Sequence, residues 1–175
     1  RPPMNRADCP CCHAHPIRVS VVEPSGQLYG SEYCLLDILE RLDRERFQVE
    51  VILPVGTPFA AHLQRIGVPA LEMLRPEAHR LPRVAKLSAY ARMALHWLRR
   101  RPDLLYVNQG GILRPVAAIA RTLGLPVLCQ VQTLEDAQWV SGQRRHHGCV
   151  AAFVCNSRFI ADRTDVPPEK RSTVY

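Results

Sequence analysis

The sequence predicts an α/β domain, a doubly wound parallel sheet of about six strands with helices on both faces. Short runs rich in Val, Ile and Leu recur along the 175 residues, and stretches with helical spacing separate them. Runs that are apolar throughout suit strands buried on both sides, and parallel neighbours need crossovers that are usually helices. With 47% hydrophobic residues the chain has material for one core.

The elements follow in order. Residues 17–23 read as the first strand. Ser31 is placed as the cap of a helix to about Leu42, with Leu35, Leu36, Leu39 and Leu42 on one face. A second strand, 49–53, stops at Pro54. Thr57-Pro58 then gives an N-cap followed by proline at the first helical position, and that short helix ends at Gly67. A weaker strand spans 70–74. The longest helix is expected over 83–100, with Val84, Leu87, Ala91, Leu95 and Leu98 as its core stripe. Beside it runs a second stripe of Arg83, Lys86, Tyr90, Met93, Trp97 and Arg100.

Residues 104–108 form a strand opening on Gly110-Gly111, and a helix over 112–123 ends at Gly124. Strands at 127–131 and 150–155 flank a helix over 138–147. Ser157 caps a last helix to about Thr164, and an apolar strand begins again at Thr173. These elements describe a Rossmann-like domain over 17–175, with residues 1–16 as a disordered leader.

Charge is concentrated. Of 23 cations, Arg80, Arg83, Lys86, Arg92, Arg99, Arg100 and Arg101 fall in one stretch without an acid, and without them 16 cations face 16 acids. The whole net charge of +7 therefore lies in that segment, which suits an anionic membrane surface or a solvated helix face. Nucleic acid is not expected, because no stacking aromatics are interleaved with these cations. No apolar run reaches a membrane span and the first residues lack a signal-peptide core, so a cytoplasmic location is expected. Seven cysteines are an odd number that suits a reducing compartment. Cys9, Cys11, Cys12, His13 and His15 are zinc- or nickel-type ligands, but no second ligand pair follows them, so no metal is expected.

In doubly wound sheets ligands bind beyond the carboxyl ends of the strands, near the point where strand order reverses. This rule selects Ser25, Gly26, Gly30, Ser31 and Glu32 after the first strand, and Asn108, Gln109, Gly110 and Gly111 after the fourth. It adds Gln132 and Glu135 after the fifth, with Asn156 and Ser157 after the sixth. Glycines let a ligand approach the backbone, and short amides hold hydroxyls. A dinucleotide fingerprint is excluded because the loop reads Gly26-x-x-x-Gly30 and the second strand ends on Pro54. A P-loop is excluded because Ser31-Glu32 follow Gly30 directly.

Several of these stretches resemble one family. Gly30-Ser31-Glu32 is similar to the Gly-Gly-x-Glu loop of retaining GT-B glycosyltransferases of family 4, the group 1 enzymes. Arg101-Pro102-Asp103-Leu104-Leu105-Tyr106-Val107-Asn108 resembles the family's "rPDvvhvh" strand, and Gly124-Leu125-Pro126-Val127 its "giPvv" strand. Phe153 to Ile160 resembles "vvavSe", and Val166-Pro167-Pro168-Glu169-Lys170-Arg171 resembles "vppeki". The resemblance implies the N-terminal, acceptor-side half of a hexosyltransferase acting in polysaccharide, glycolipid or small-molecule glycoside synthesis. It implies a second domain beyond Tyr175 that binds the nucleotide-sugar, a substrate, with no cofactor. Tyr29 replaces the loop's first glycine, and Gln132 stands where the family often has a histidine, so the catalytic residue stays unassigned. The alternative is a noncatalytic Rossmann-like module that binds a ligand or a partner.

Overall fold

The computed structural model describes residues 15–75 and 83–174. The strands are β1 (Ile17–Val22), β2 (Phe47–Pro54), β3 (Ala70–Leu74), β4 (Leu104–Val107), β5 (Val127–Val131), β6 (Val150–Cys155) and β7 (Arg171–Thr173). The helices are α1 (Gly30–Arg41), α2 (Pro58–Arg65), α3 (Arg83–Arg100), α4 (Leu113–Leu123), α5 (Leu134–Ser141) and α6 (Arg158–Ala161). All strand pairs are parallel, in the order β3-β2-β1-β4-β5-β6-β7. The expected doubly wound sheet is present, and the strand expected from Thr173 lies at Arg171–Thr173, where the three residues of β7 pair with Phe153, Val154 and Cys155 of β6.

Alternation along each strand builds a core on both faces. Val19, Val21, Val51 and Leu53 face α1 and α2, where Leu35, Leu36, Leu39, Phe59 and Leu63 are buried. Val22, Ile52, Leu105 and Val107 face the other side, against Met93, Trp97, Val116, Ala117 and Ala120. Each fully buried large apolar side chain contributes roughly 1.5–3 kcal/mol.

The longest helix has the expected bounds but the opposite orientation. Ala89, Met93 and Trp97 are buried, while Leu87, Leu95 and Leu98 are 68%, 45% and 48% exposed. Trp97 decides the rotation, since its ring fills the core and its Nε1 donates to Ser20 Oγ in β1 at 2.9 Å. A smaller leucine stripe offers less area and no partner for that buried hydroxyl. The stripe assigned to a membrane surface is therefore the core stripe in its Tyr90, Met93 and Trp97 part, and the leucines face outward.

Helix starts depend on side chains folding back. In α1 the cap position is Tyr29 and not Ser31, because Glu32 accepts from the Tyr29 backbone N–H at 3.1 Å. The expected helix over 138–147 instead starts at Leu134. Thr133 caps it, accepting from Asp136 N at 3.0 Å while Asp136 accepts from the Thr133 N–H at 3.3 Å. It stops at Ser141, and residues 144–149 continue as 3₁₀ turns. Ser157 caps α6 as expected, but only through Ala161. Gly124 closes α4 at φ +68°, the left-handed conformation that glycine adopts without strain. At the outer edges of the sheet, Arg92 of α3 donates to the Met73 carbonyl of β3 at 2.8 Å, and β7 presents only three residues.

Candidate functional site

Strand order reverses between β1 and β4, so the loops leaving those two strands enclose the switch-point crevice. The first contributes Glu23, Ser25, Ser31 and Glu32, and the second Asn108 and Gln109. They converge on two carboxylates that are wholly buried. Glu23 accepts from the Ser25 backbone N–H at 2.8 Å, from Asn108 Nδ2 at 2.5 Å and from Gln109 Nε2 at 3.4 Å. Glu32 accepts from Ser25 Oγ at 2.5 Å, from Ser31 Oγ at 2.8 Å and from Gln109 Nε2 at 2.8 Å. The Gln109 amide thus bridges both carboxylates and ties the two loops together.

Burial pushes the Glu23 carboxyl up to about 7, and the neighbouring Glu32 charge acts in the same direction. Donation from Asn108 and Ser25 favours the ionised form and opposes this. Desolvation wins, so near neutral pH this group exchanges a proton. Beside the buried pair, the partly exposed Ser25, Gln109 and Gln132 hold hydroxyl and amide groups at fixed positions, which is what orients hydroxyl groups.

A second set of contacts joins β4 to β5. Asp136 accepts from the Gly110 N–H at 2.8 Å and from the Gln132 N–H at 3.3 Å. Gln132 Nε2 donates to Asn108 Oδ1 at 3.4 Å, and Asn156 Nδ2 donates to the Gln132 carbonyl at 3.0 Å. Ser25, Ser31, Glu32, Asn108, Gln109 and Gln132 therefore belong to one connected edge. Glu135 does not. It is exposed on the first turn of α5, accepting from Trp139 Nε1 at 3.4 Å.

The glycines divide into two kinds. Gly30 and Gly111 are exposed, and a Cβ on either would meet nothing within 4 Å. Gly26 is buried at φ +64°, where a Cβ would lie 2.4 Å from Thr57 Oγ1, and a Cβ on Gly110 would lie 2.8 Å from Val140 Cγ2. Packing accounts for Gly26 and Gly110, and only Gly30 and Gly111 leave open backbone.

Glu23, Gln109 and Asp136 carry as much of this edge as any residue proposed from the sequence. Gln109 was selected with its loop; Glu23 and Asp136 were not. An acid closing an apolar strand immediately before a glycine turn was the available signal for Glu23. Asp136 was signalled by the Thr-x-x-Asp spacing of a capping box. Among the described residues no group of three or more His, Cys, Asp or Glu side chains is placed to hold a metal. Of the amino-terminal cysteine and histidine cluster, residues 9–14 lie outside the described residues.

A model of the glycosyl transferase 4-like domain matches residues 29–174. The chain belongs to that family. Among solved structures it is similar to HepE of Anabaena in complex with UDP and glucose, at TM-score 0.73 and 16% identity over 91% of this chain and 44% of that one. Acinetobacter baumannii MurG follows at TM-score 0.66 and 15% identity, over 90% of this chain and 44% of that one. UDP-GlcNAc 2-epimerase from Neisseria meningitidis, bound to UDP-GlcNAc, is similar at TM-score 0.64 and 12% identity, over 89% and 46%. No curated protein sequence matches the chain. At these identities the structures share the fold, and this glycosyl transferase 4-like chain spans less than half the length of each.

Proposed function

We propose that this chain is the acceptor-side half of a retaining glycosyltransferase that moves a sugar from a nucleotide-sugar to a glycan, glycolipid or small-molecule acceptor. The observation that carries the reading is the bridged Glu23–Gln109–Glu32 edge at the switch point of a glycosyl transferase 4-like domain. Its buried carboxylates fix the two loops, and the partly exposed Ser25, Gln109 and Gln132 with exposed Gly30 and Gly111 offer hydroxyl, amide and backbone groups to a sugar ring. The nucleotide-sugar is a substrate held mainly by the other half, and no cofactor takes part. Free thiols at Cys129 and Cys155 suit the reducing cytoplasm.

The test is a kinetic split in the full-length enzyme. Gln109→Ala is expected to raise the acceptor KM about tenfold, as for one lost hydrogen bond, and Glu32→Gln to raise it by releasing Gln109 and Ser25 from their positions, with the donor KM unchanged. A raised donor KM with an unaltered acceptor KM would sink the acceptor assignment. A second reading, a noncatalytic binding module, is favoured by one observation: Gln132 stands at the edge where the family often has a histidine. Acceptor binding without turnover by the full-length protein would establish it.

Contact with an anionic membrane belongs to the same proposal, on residues other than those first assigned. The outward leucines Leu87, Leu95 and Leu98 of α3, beside exposed Arg99, Arg100 and Arg101, form the amphipathic face such a surface takes. Among the described residues no helix is long and apolar enough to cross a membrane.

A further inference from the structure

The polarity of the crevice rim is set from beneath it. A carboxylate only accepts hydrogen bonds, whereas a side-chain amide accepts at its oxygen and donates at its nitrogen. An amide packed on a buried acid must therefore turn its nitrogen inward. Gln109 does so, with Nε2 donating to Glu32 at 2.8 Å and to Glu23 at 3.4 Å. Asn108 donates through Nδ2 to Glu23 at 2.5 Å, which leaves its Oδ1 for a neighbour. Gln132 meets that oxygen with its own Nε2 at 3.4 Å. The two acids thus orient Gln109 directly and Gln132 through Asn108.

What remains facing the crevice is oxygen. Gln109 and Gln132 are half-buried, and neither Oε1 has a hydrogen-bond partner among the described residues. Both atoms are open to solvent, because the enclosed side-chain atoms without a partner among the described residues are Gln143 Oε1 and His146 Nε2. The hydroxyl protons of Ser25 and Ser31 are already given to Glu32, at 2.5 and 2.8 Å. The start of α1 would by itself favour an anion, but the Glu32 carboxylate of its first turn already occupies that role, accepting from the Tyr29 N–H at 3.1 Å.

Charge adds to this polarity. None of the ion pairs among the described residues involves Glu23 or Glu32. Arg114 and Arg158, which follow Gly111 and Ser157 in the chain, are exposed, where water and salt screen them. The carboxylates are buried and screened less, so their field emerges through the crevice.

We propose that the crevice selects an acceptor sugar through its hydrogen-bond donors, taking an amino sugar before a neutral one and rejecting a sugar acid. This deepens the acceptor role proposed above and rests on it. A hydroxyl or an ammonium brings a proton to Gln109 Oε1 or Gln132 Oε1. A carboxylate brings oxygen against oxygen with no proton between them, above a negative charge that no cation offsets.

The test titrates the 175-residue chain with methyl glucoside, its analogue carrying an ammonium in place of the terminal hydroxyl, and methyl glucuronide. The side-chain amide resonances of Gln109 and Gln132 report binding. A pH of about 8 keeps the amine protonated and lies above the value of about 7 to which Glu23 is raised. The ammonium sugar is expected to bind about tenfold more tightly than the neutral one, and the glucuronide about tenfold more weakly. Gln132→Lys places a cationic donor at the rim, and the glucuronide is then expected to bind at least as tightly as the ammonium sugar, at an unchanged melting temperature. Wild-type binding of the glucuronide as tight as that of the ammonium sugar overturns the selection and leaves the acceptor role standing. The same order of affinities in a folded Gln132→Lys variant also overturns it, because the rim amides then do not set the preference. If none of the sugars moves either amide up to about 100 mM, the acceptor role itself falls and takes this inference with it.

Discussion

At the residue scale, glycines and one carboxyl make opposite demands. Gly30→Val places its branches in open space at the start of α1, so the melting temperature is expected to move little while full-length activity falls. Gly110→Ala does the reverse, because its Cβ meets Val140 Cγ2 at 2.8 Å and the Asp136 backbone oxygen at 3.1 Å. Overpacking of this kind costs about 1–3 kcal/mol, measurable by urea unfolding. Glu23 has a pH signature. Its folded-state value of about 7 lies above the unfolded value of 4.5, so the folded chain keeps a proton that the unfolded chain has lost in that window. Stability is expected to fall as pH rises from about 4.5 to about 7, and Glu23→Gln to remove that slope. Unfolding midpoints across the window check it, and an identical slope in the variant refutes it.

At the element scale, strand positions and the bounds of α3 were legible because apolar runs and the Asp103 and Gly67 boundaries punctuate them. The rotation of α3 was not. Two apolar stripes lie side by side on that helix, and only the hydroxyl of Ser20, which β1 brings beneath it, selects the one with Trp97. Sequence periodicity gives the stripes without saying which faces the sheet. Trp97→Ala is therefore expected to destabilise by about 3–5 kcal/mol, whereas Leu95→Ser with Leu98→Ser leaves the fold intact. The same double variant tests the membrane proposal. Wild type is expected to co-sediment with anionic vesicles at low salt and to dissociate as salt screens the arginines, and the leucine variant to bind less. Equal sedimentation of both forms, or of neither, removes the membrane from the proposal. The start of α5 was missed because the Thr133–Asp136 cap sits before a weak apolar pattern, and the last strand, expected from Thr173, lies at Arg171–Thr173 because three residues carry no periodicity to fix its bounds.

At the scale of the whole molecule, the site was only half legible for a topological reason. Glu23 and Gln109 are 86 positions apart, and nothing local announces that β4 lies beside β1. The rule for doubly wound sheets named Ser25, Ser31, Glu32, Asn108, Gln109 and Gln132, which the structure brings together by hydrogen bonds, while the packing that separates Gly26 and Gly110 from Gly30 and Gly111 needed coordinates. The proposed division of labour predicts that these 175 residues alone turn over no nucleotide-sugar. Release of nucleotide from any sugar donor by this chain, followed by chromatography, would contradict it.

The two ends of the sheet bear on how the chain behaves in company. A parallel sheet terminates in rows of unsatisfied amides and carbonyls, on which another polypeptide can template itself. Here one margin has the Met73 carbonyl already occupied by the Arg92 guanidinium, and the other is only three residues long, Arg171 to Thr173, too brief to seed a ladder. A positive charge on one flank and brevity on the other both oppose fibrillar stacking of copies, which gives Arg92 a part in negative selection against edge-to-edge pairing.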